Sequence, residues 1–391
     1  MANTLTSLIP DVYAALDVVS RELVGIIPSI GRNSSADRIA KGQTLRSFAT
    51  PKNAAGENIT PAMSIPAAAD QTIANKPLTI DTYRDFPFSW SGEEHYAMNT
   101  GPGYLNIRQD QIAQAFRSAI NEMELSLAQK IALGASRAYG TANTTPFSTN
   151  TGEAAQIKKI LDDNGAPISG RSLIIDTTTG AQLRTLTQLT KANEAGTTMT
   201  LRDGEILNLS GLSIKESAQV QPVTIGTASG ATSTSAAFTV GQTTIPIATA
   251  GTGLIIAGDV ITFANDTNKY VVASATFAGA NPAAGDSIVL AAPGLLKAQG
   301  IATRAITVVG TSTLLSRCIA FSQNAAVLAT RLPVLPPEGD LAISREIIQD
   351  PRTGIAFELA VYPGYRMNRY ELAIAYGSLV VKPEHAALLV Y

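Results

Sequence analysis

The feature of this sequence that most constrains its fold is one long amphipathic repeat in the first half of the chain. Its apolar side chains recur at steps of four, four, three, four and four residues, at Ile112, Phe116, Ile120, Met123, Leu127 and Ile131. Because an α-helix has about 3.6 residues per turn, those steps place the six side chains on one face. We predict a helix from Ile107 to Tyr139, ended by Gly140 and about 48 Å long at about 1.5 Å per residue. One lone helix of that length is uncommon in an enzyme of this size.

The chain before this helix carries a shorter repeat and then an irregular stretch. From Leu8 to Ile27 apolar residues fall at helical spacing, which predicts a short amphipathic helix. Such a helix suits both a core element and an arm packed on a neighbouring subunit, and the sequence leaves both open. Residues 28 to 75 are interrupted by proline and glycine, so we expect an extended or looped segment. Alternating residues from Lys76 to Trp90 then predict strands of a long hairpin or outward loop.

Beyond the long helix, helical and strand patterns alternate. Helical patterns at Ala154 to Leu161 and Thr179 to Lys191, with a strand at Ser172 to Asp176 between them, indicate a mixed α/β domain. We expect that domain to resume at Ile306 to Val309 and to include a helix from Ser322 to Thr330.

Residues 222 to 305 differ in composition from the rest of the chain. They contain only six charged side chains and ten glycines among short β-type runs, which predicts an inserted all-β domain. Polar turn formers between the runs Val260 to Ala264 and Tyr270 to Ser274 predict an exposed hairpin tip. Because loop tips are frequent contact points, the candidate subunit contacts are Asp266, Asn268 and Lys269.

The last part of the chain reads as strands joined by turns. We predict strands at Ile343 to Ile348, Ile355 to Val361, Tyr370 to Tyr376 and Ser378 to Lys382. An antiparallel sheet is the simplest arrangement of these strands. The expected fold class is therefore α+β.

The composition argues against most catalytic and binding functions. The chain of 391 residues has a formal net charge of −2 and 15% charged residues, which speaks against a basic face dedicated to nucleic acid. No run of roughly 18 to 20 apolar residues predicts a membrane span. His95 and His385 are the only histidines, and neither has a neighbour at metal-ligand spacing. Phosphate-binding glycine loops and the Gly-x-Ser-x-Gly elbow are absent, so we expect no catalytic, cofactor-binding or metal site.

The single cysteine, Cys318, cannot form an internal disulfide. Its neighbour Arg317 lowers the thiol pKa if the two side chains lie together, but a buried structural thiol is the interpretation we favour. The acidic pairs Glu93-Glu94 and Asp162-Asp163 are interpreted as solvated surface charge.

The order of these elements resembles that of the tailed-bacteriophage major capsid proteins, which have the Hong Kong 97-type fold. Short motifs are similar to the podovirus coat-protein subfamily, at Met1 to Leu5, Val18 to Gly25, Gly258 to Phe263 and Tyr376 to Glu384. Coat proteins of that subfamily carry an inserted β-barrel domain, and residues 222 to 305 occupy the matching place. The resemblance covers essentially the whole chain.

The resemblance implies a division of the chain into the segments of that fold. These are an N-arm at 1–50, an extended E-loop at 51–98, a peripheral domain with the spine helix at 99–145, an axial domain at 146–221 and 306–340, the inserted β-barrel domain at 222–305 and a peripheral β-sheet at 341–391.

The resemblance also implies a structural function without catalysis. We expect a major capsid protein that self-assembles through hexamers and pentamers into the icosahedral shell around phage DNA, in the virion and, during assembly, in the host cytoplasm. Scaffolding and portal proteins are the expected partners. Packaged double-stranded DNA is expected to make nonspecific contact at most, at Arg32, Arg38, Lys41 and Arg46, and a subunit interface explains these basic residues equally well. An encapsulin-like nanocompartment shell protein, another virion structural protein and an undetected enzyme with a β-rich accessory domain are the alternatives.

Overall fold

The structure, a computed structural model, describes part of the N-terminal region and most of the rest of the chain. The described residues are 16, 25–49, 59, 61, 63, 74–99, 104–187, 208–248, 251–310, 314–350 and 353–391. The predicted N-terminal helix from Leu8 to Ile27 lies mostly outside these residues. Leu16 and Ile26 of its apolar repeat are described, and both are buried.

The first part of the chain forms strands that the sequence patterns only partly predicted. A short 3-10 helix at Ile27–Ser29 leads into β1 (Gly31–Ile39), β2 (Thr44–Ala49), β3 (Ala74–Thr79), β4 (Thr82–Ser91), α1 (Gly92–Asn99) and α2 (Tyr104–Gly134). β2 and β3 pair with each other along their whole length, as a two-stranded antiparallel ribbon. Lys76 to Trp90 therefore contains strands, as predicted, but they belong to different pairings, because β3 returns to β2 and β4 joins a different sheet.

Helix α2 is the long helix that the apolar repeat predicted. All six residues of the repeat are buried, because the stripe packs into the main hydrophobic core. The helix ends at Gly134 and not at Tyr139, because the next residues form β5 (Arg137–Gly140), which pairs in parallel with the last strand of the chain. The pairing between β5 and that last strand satisfies the backbone hydrogen bonds of these residues, and this tertiary pairing overrides their helical propensity.

The next part alternates helices and strands, as predicted. It contains α3 (Gly152–Asp163), β6 (Arg171–Ile175), α4 (Thr177–Arg184), β7 (Asn208–Leu209) and β8 (Leu212–Glu216). Asp176 begins α4 by accepting hydrogen bonds from the backbone N–H groups of Thr178 and Thr179. The end of the helix predicted to reach Lys191 lies outside the described residues.

From Val223 to Val308 the described residues form strands and contain no helix. These are β9 (Val223–Thr224), β10 (Ala236–Phe238), β11 (Thr244–Pro246), β12 (Val260–Phe263), β13 (Lys269–Thr276), β14 (Ser287–Leu290), β15 (Gln299–Ala302) and β16 (Ile306–Val308). Buried carboxylates hold the turns between them: Asp259 and Asp286 each accept two backbone N–H groups. β13 also pairs with β5, which joins this region to the rest of the molecule.

The last part is entirely strands apart from a short 3-10 helix at Pro383–His385. The strands are β17 (Leu314–Leu315), β18 (Arg317–Ser322), β19 (Ala326–Pro333), β20 (Ser344–Gln349), β21 (Ala356–Gly364), β22 (Met367–Val380) and β23 (Ala386–Val390). The helix predicted from Ser322 to Thr330 is wrong. β18 and β19 are central strands buried on both faces, and such continuous apolar runs do not distinguish a strand from a buried helix.

Two large sheets organise the described residues, and α2 lies against both. The first sheet runs β1-β19-β22-β21-β20, with β4 on the other side of β22, and the second runs β11-β14-β13-β5-β23-β18-β6-β8-β7, with β12 and β16 attached at β13. Phe116 of α2 packs edge-on against Phe357 of the first sheet, with ring centroids 5.1 Å apart. The same helix contacts β13, β18 and β23 of the second sheet.

β22 is one strand where two had been predicted. Its residue Gly377 lies where the end of β3 crosses the sheet, and a Cβ atom there would be 2.2 Å from the carbonyl oxygen of Thr79. Only glycine allows this close backbone approach. The glycine therefore marks a crossing inside a strand and not a break between two strands.

Candidate intersubunit surfaces

The ribbon of β2 and β3 is fixed at its base and carries exposed apolar residues beyond its end. Leu78 and Ile80 are buried at the base, in a small core with residues of β1, β19 and β22. The ammonium group of Lys76 donates to the carbonyl oxygen of Val381, 2.5 Å away. Between the two strands, Ile59 and Met63 are fully exposed. Burying such a side chain is worth about 1.5–3 kcal/mol, so this end of the ribbon favours contact with another surface.

A second exposed apolar patch borders the edge of the first sheet. It consists of Val334, Leu341, Ile343 and Ile347, which are between 49% and 85% exposed. Among the described strands β20 pairs only with β21, so its other edge leaves backbone groups free. Another edge strand of this sheet, β4, carries Pro87 in its middle, and proline blocks the addition of another strand. The edges of β4 and β20 are therefore unequal, and of these two β20 is the one open to a partner.

Glu124 of α2 holds the start of the N-terminal segment, the name used here for residues 25–39. Glu124 is 1% exposed. Its Oε1 accepts the backbone N–H groups of Gly25 at 2.9 Å and Ile26 at 2.6 Å, and its Oε2 accepts that of Ile27 at 3.0 Å. Burial raises the pKa of Glu124, although these N–H groups oppose the shift.

Glu358 of β21 holds the other end of the same segment. The guanidinium of Arg38 lies 2.6 Å from Oε2 of Glu358 and also donates to the carbonyl oxygen of Pro333. Arg345 of β20 pairs with the other oxygen of Glu358. Between these two glutamates, Arg331 donates to the backbone and side-chain oxygens of Asn33. The N-terminal segment is thus fixed to the helix at residues 25–27, and from Gly31 onward it is strand β1 of the first sheet, paired with β19.

Neither glutamate was recognised from the sequence. Glu124 has a visible signal, because it lies four residues after Ile120 and three before Leu127, on the apolar face of the helix. A charged residue on a buried stripe requires partners. Glu358 has a comparable signal, because it is the one charged residue in the apolar run from Ile355 to Val361, but its partner Arg38 is 320 positions earlier in the chain and no local pattern points to it.

The predicted hairpin tip is less exposed than its composition indicated. Asp266 is only 7% exposed: its Oδ1 accepts from the backbone and side chain of Asn268, and its Oδ2 accepts from the hydroxyl of Tyr270 at 2.8 Å. The ammonium group of Lys269 donates to the carbonyl oxygen of Gly140, and burial lowers its pKa. The exposure expected for Asp266 is wrong, because the turn is built around its carboxylate. Subunit contact through Asp266, Asn268 or Lys269 remains a prediction.

The other singled-out residues have ordinary structural surroundings. Cys318 is fully buried beside Asp176 and Thr179, and burial raises its pKa to about 12, so activation by Arg317 is wrong. His385 is buried, and burial lowers its pKa. The side chain of His95 lies outside the described residues. Asp162 forms ion pairs with Lys158 of α3 and with Arg171 of β6, so it is not simply a solvated surface charge.

The described residues contain neither a metal-binding cluster nor a membrane-spanning helix. No group of three or more histidine, cysteine, aspartate and glutamate side chains there is placed to hold a metal ion. None of the described helices combines the length and the hydropathy needed to span a bilayer. Of the four basic residues considered for DNA contact, Arg32, Lys41 and Arg46 are exposed and Arg38 is paired.

No protein-family model matches the chain, and no curated protein matches it. Similar solved structures include the capsid of the cyanophage P-SCSP1u, at 14% identity, with 92% of this chain and 86% of that chain covered and a TM-score of 0.48. The mature capsid of bacteriophage PhiM1 is similar at 10% identity, 93% and 85% coverage and a TM-score of 0.46. Phage capsids are thus among the similar structures. A virus-like particle from Pyrococcus furiosus is similar at 10% identity, 96% coverage of both chains and a TM-score of 0.42. These identities and TM-scores are too low to assign a function, so the assignment depends on the geometry of this chain.

Proposed function

We propose that this chain is the major capsid protein of a tailed bacteriophage, which assembles through hexamers and pentamers into an icosahedral shell around DNA. The observation that carries the proposal is the ribbon of β2 and β3, with Ile59 and Met63 exposed between its strands. Both side chains are fully exposed on their own subunit, so we expect a neighbouring molecule to cover them. A shell subunit supplies such neighbours on every side.

The second exposed patch supports repeated contacts between copies. Val334, Leu341 and Ile343 are exposed in the segment that joins β19 to β20, far along the chain from the ribbon. Exposed apolar patches on soluble proteins mark interaction surfaces. Stable interfaces bury about 1,200–2,000 Å² in total, which several separate surfaces provide more readily than one. Two such surfaces on one chain suit a closed lattice of identical subunits.

The finer assignments are part of the same proposal. The N-arm at 1–50, E-loop at 51–98 and inserted β-barrel domain at 222–305 are the segments of the podovirus coat-protein type. The ribbon begins at Thr44, which moves the start of the E-loop into the segment first assigned to the N-arm. The all-strand region from Val223 to Val308 agrees in position with the insertion.

The partners of such a subunit are further copies of itself, a scaffolding protein and a portal. Contact with packaged DNA is nonspecific at most, and the exposed Arg32, Lys41 and Arg46 are the candidates for it. The proposed location is the virion capsid, after assembly in the host cytoplasm. We propose no catalytic function.

Electron microscopy of the chain expressed alone and together with its neighbouring phage genes tests the proposal. Wild type is expected to form closed icosahedral particles under at least one condition. Replacing both Ile59 and Met63 with aspartate is expected to abolish them by charging the ribbon end. Ile168, which is 82% exposed on a loop elsewhere, provides the matched control, and Ile168→Asp is expected to assemble. Wild-type monomers under both conditions would overturn the proposal, and particles filled with protein cargo would favour the encapsulin-like alternative.

A further inference from the structure

The contact between Glu124 and the N-terminal segment is unusual because one side chain satisfies three consecutive backbone N–H groups. The three donors are the amides of Gly25, Ile26 and Ile27, at 2.6 to 3.0 Å from the carboxylate oxygens. All three residues are buried, so water does not replace the carboxylate if it withdraws. An unsatisfied buried N–H costs about 1–3 kcal/mol. Partial separation is therefore more costly than either complete contact or complete release.

The surroundings of Glu124 hold the segment from the opposite side. Lys215 of β8 donates to the hydroxyl of Ser29 at 2.7 Å, and that hydroxyl donates to the carbonyl oxygen of Gly25 at 2.7 Å. Lys215 and Glu124 also attract each other electrostatically, and the Ser217 hydroxyl hydrogen-bonds to the carboxylate. These groups join the segment to both α2 and the second sheet.

The backbone itself fits tightly at this place. A Cβ atom on Gly25 would lie 3.0 Å from Cγ2 of Ile174 and 3.4 Å from Cβ of Ser217. The absence of a side chain lets the chain pass close to β6, within reach of the Glu124 carboxylate. The contact is therefore shaped by the segment as well as by the helix.

We propose that Glu124 is a latch that couples the N-terminal segment to helix α2, so that the two move as one body until all three hydrogen bonds break together. Packed contacts of this kind switch between discrete arrangements and do not deform continuously. One consequence rests on the proposed function: when a shell of such subunits rearranges, the latch would make α2 and the N-terminal segment shift together. The latch itself is a property of the single subunit.

Hydrogen exchange of the full-length, unassembled subunit tests the latch directly. Exchange at the amides of residues 25–27 is expected to accelerate about tenfold in Glu124→Gln, which keeps one carbonyl acceptor, and about a hundredfold or more in Glu124→Ala. Exchange elsewhere in α2 is expected to stay within a few-fold of wild type. Glu122 provides the control, because it lies on the same helix, partly exposed, and bonds to Arg84 and Tyr376. Glu122→Gln is expected to leave exchange at residues 25–27 unchanged.

Unchanged exchange at residues 25–27 in Glu124→Gln would overturn the latch, as would an equal acceleration throughout the core. If Glu124→Ala fails to fold, the glutamine variant decides. Because the exchange is measured on unassembled subunits, failure of wild type to form shells would remove the proposed function and leave the latch standing. Loss of the latch with normal shells would do the reverse.

Discussion

The two ends of the N-terminal segment are held by the same kind of residue in different ways. Glu124 binds backbone amides, which are neutral and fixed in place, whereas Glu358 binds the guanidinium groups of Arg38 and Arg345. Both glutamates are buried. The arginine side chains, however, remain 29% and 20% exposed, and Arg345 and Glu358 line an open cavity of about 270 Å³. Two equally buried glutamates can therefore differ in how strongly salt, pH or mutation changes their contribution to the stability of the fold.

The largest effect is expected for Glu124→Ala, which leaves three buried N–H groups unpaired. The free energy of unfolding should fall by about 3–5 kcal/mol, measured by urea denaturation. Glu122→Ala on the same helix should cost clearly less, because its carboxylate is partly exposed. Equal losses in the two variants would mean that the backbone contacts of Glu124 contribute little.

A smaller loss is expected for Glu358→Gln, because the two arginines it releases reach solvent. The free energy of unfolding should fall by about 1–2 kcal/mol in the same assay. Glu346→Gln, at an exposed position of β20, should have no measurable effect. A loss as large as that of Glu124→Ala would erase the difference between the two ends of the segment.

Added salt should reduce the contribution of Glu358 to stability more than that of Glu124, with no change in the fold. Raising the salt concentration from about 0.1 M to about 1 M shortens the screening length from about 10 Å to about 3 Å. The stability difference between wild type and Glu358→Gln should therefore shrink by roughly half. The difference for Glu124→Gln should change less, because neutral amide donors supply most of its contacts and only the attraction to Lys215 is screened. A parallel salt response in both variants would contradict the comparison.

The smallest expected effect is a pH dependence of the free energy of unfolding that arises from the titration of Glu124. Burial raises its pKa in the folded protein, so the folded state favours the protonated acid. The pH-dependent part of the stability that Glu124 contributes is then fully present below the ordinary pKa of glutamate and is lost as the pH rises through the folded value, whereas the part that comes from accepting the three N–H groups remains. Urea denaturation of wild type and Glu124→Gln between about pH 4 and pH 8 measures this difference. A difference that grows with pH would show that the N–H groups outweigh burial.

The parts of the fold that the sequence predicted are those governed by local periodicity. Helix α2 follows directly from its repeat of six apolar residues, and the strands β20 and β21 follow from short β-type runs that turn residues separate from each other. β18 and β19 were not predictable in this way, because burial on both faces removes the alternation that identifies a strand. The pairing of β3 with β2 also had no local signal, since 24 residues separate Ala49 from Ala74.

The candidate surfaces were predictable only in outline. An outward loop before the long helix was expected, and the ribbon lies there, but its anchoring by Lys76 and Leu78 depends on distant strands. Asp266 was expected at an exposed tip because its neighbours are polar. The carboxylate turns inward instead, because the backbone of the turn and the Tyr270 hydroxyl supply donors that a sequence pattern does not reveal.

The position of β22 in the first sheet has a consequence for synthesis on the ribosome. This strand, Met367–Val380, borders β4, β21 and β19, so three ladders depend on residues that are translated after all of their partners. Until residue 380 has emerged, the earlier strands lack their shared neighbour and the sheet cannot close. A polypeptide truncated before Met367 would therefore lack the centre of the sheet, and only molecules translated beyond it would be competent to join others.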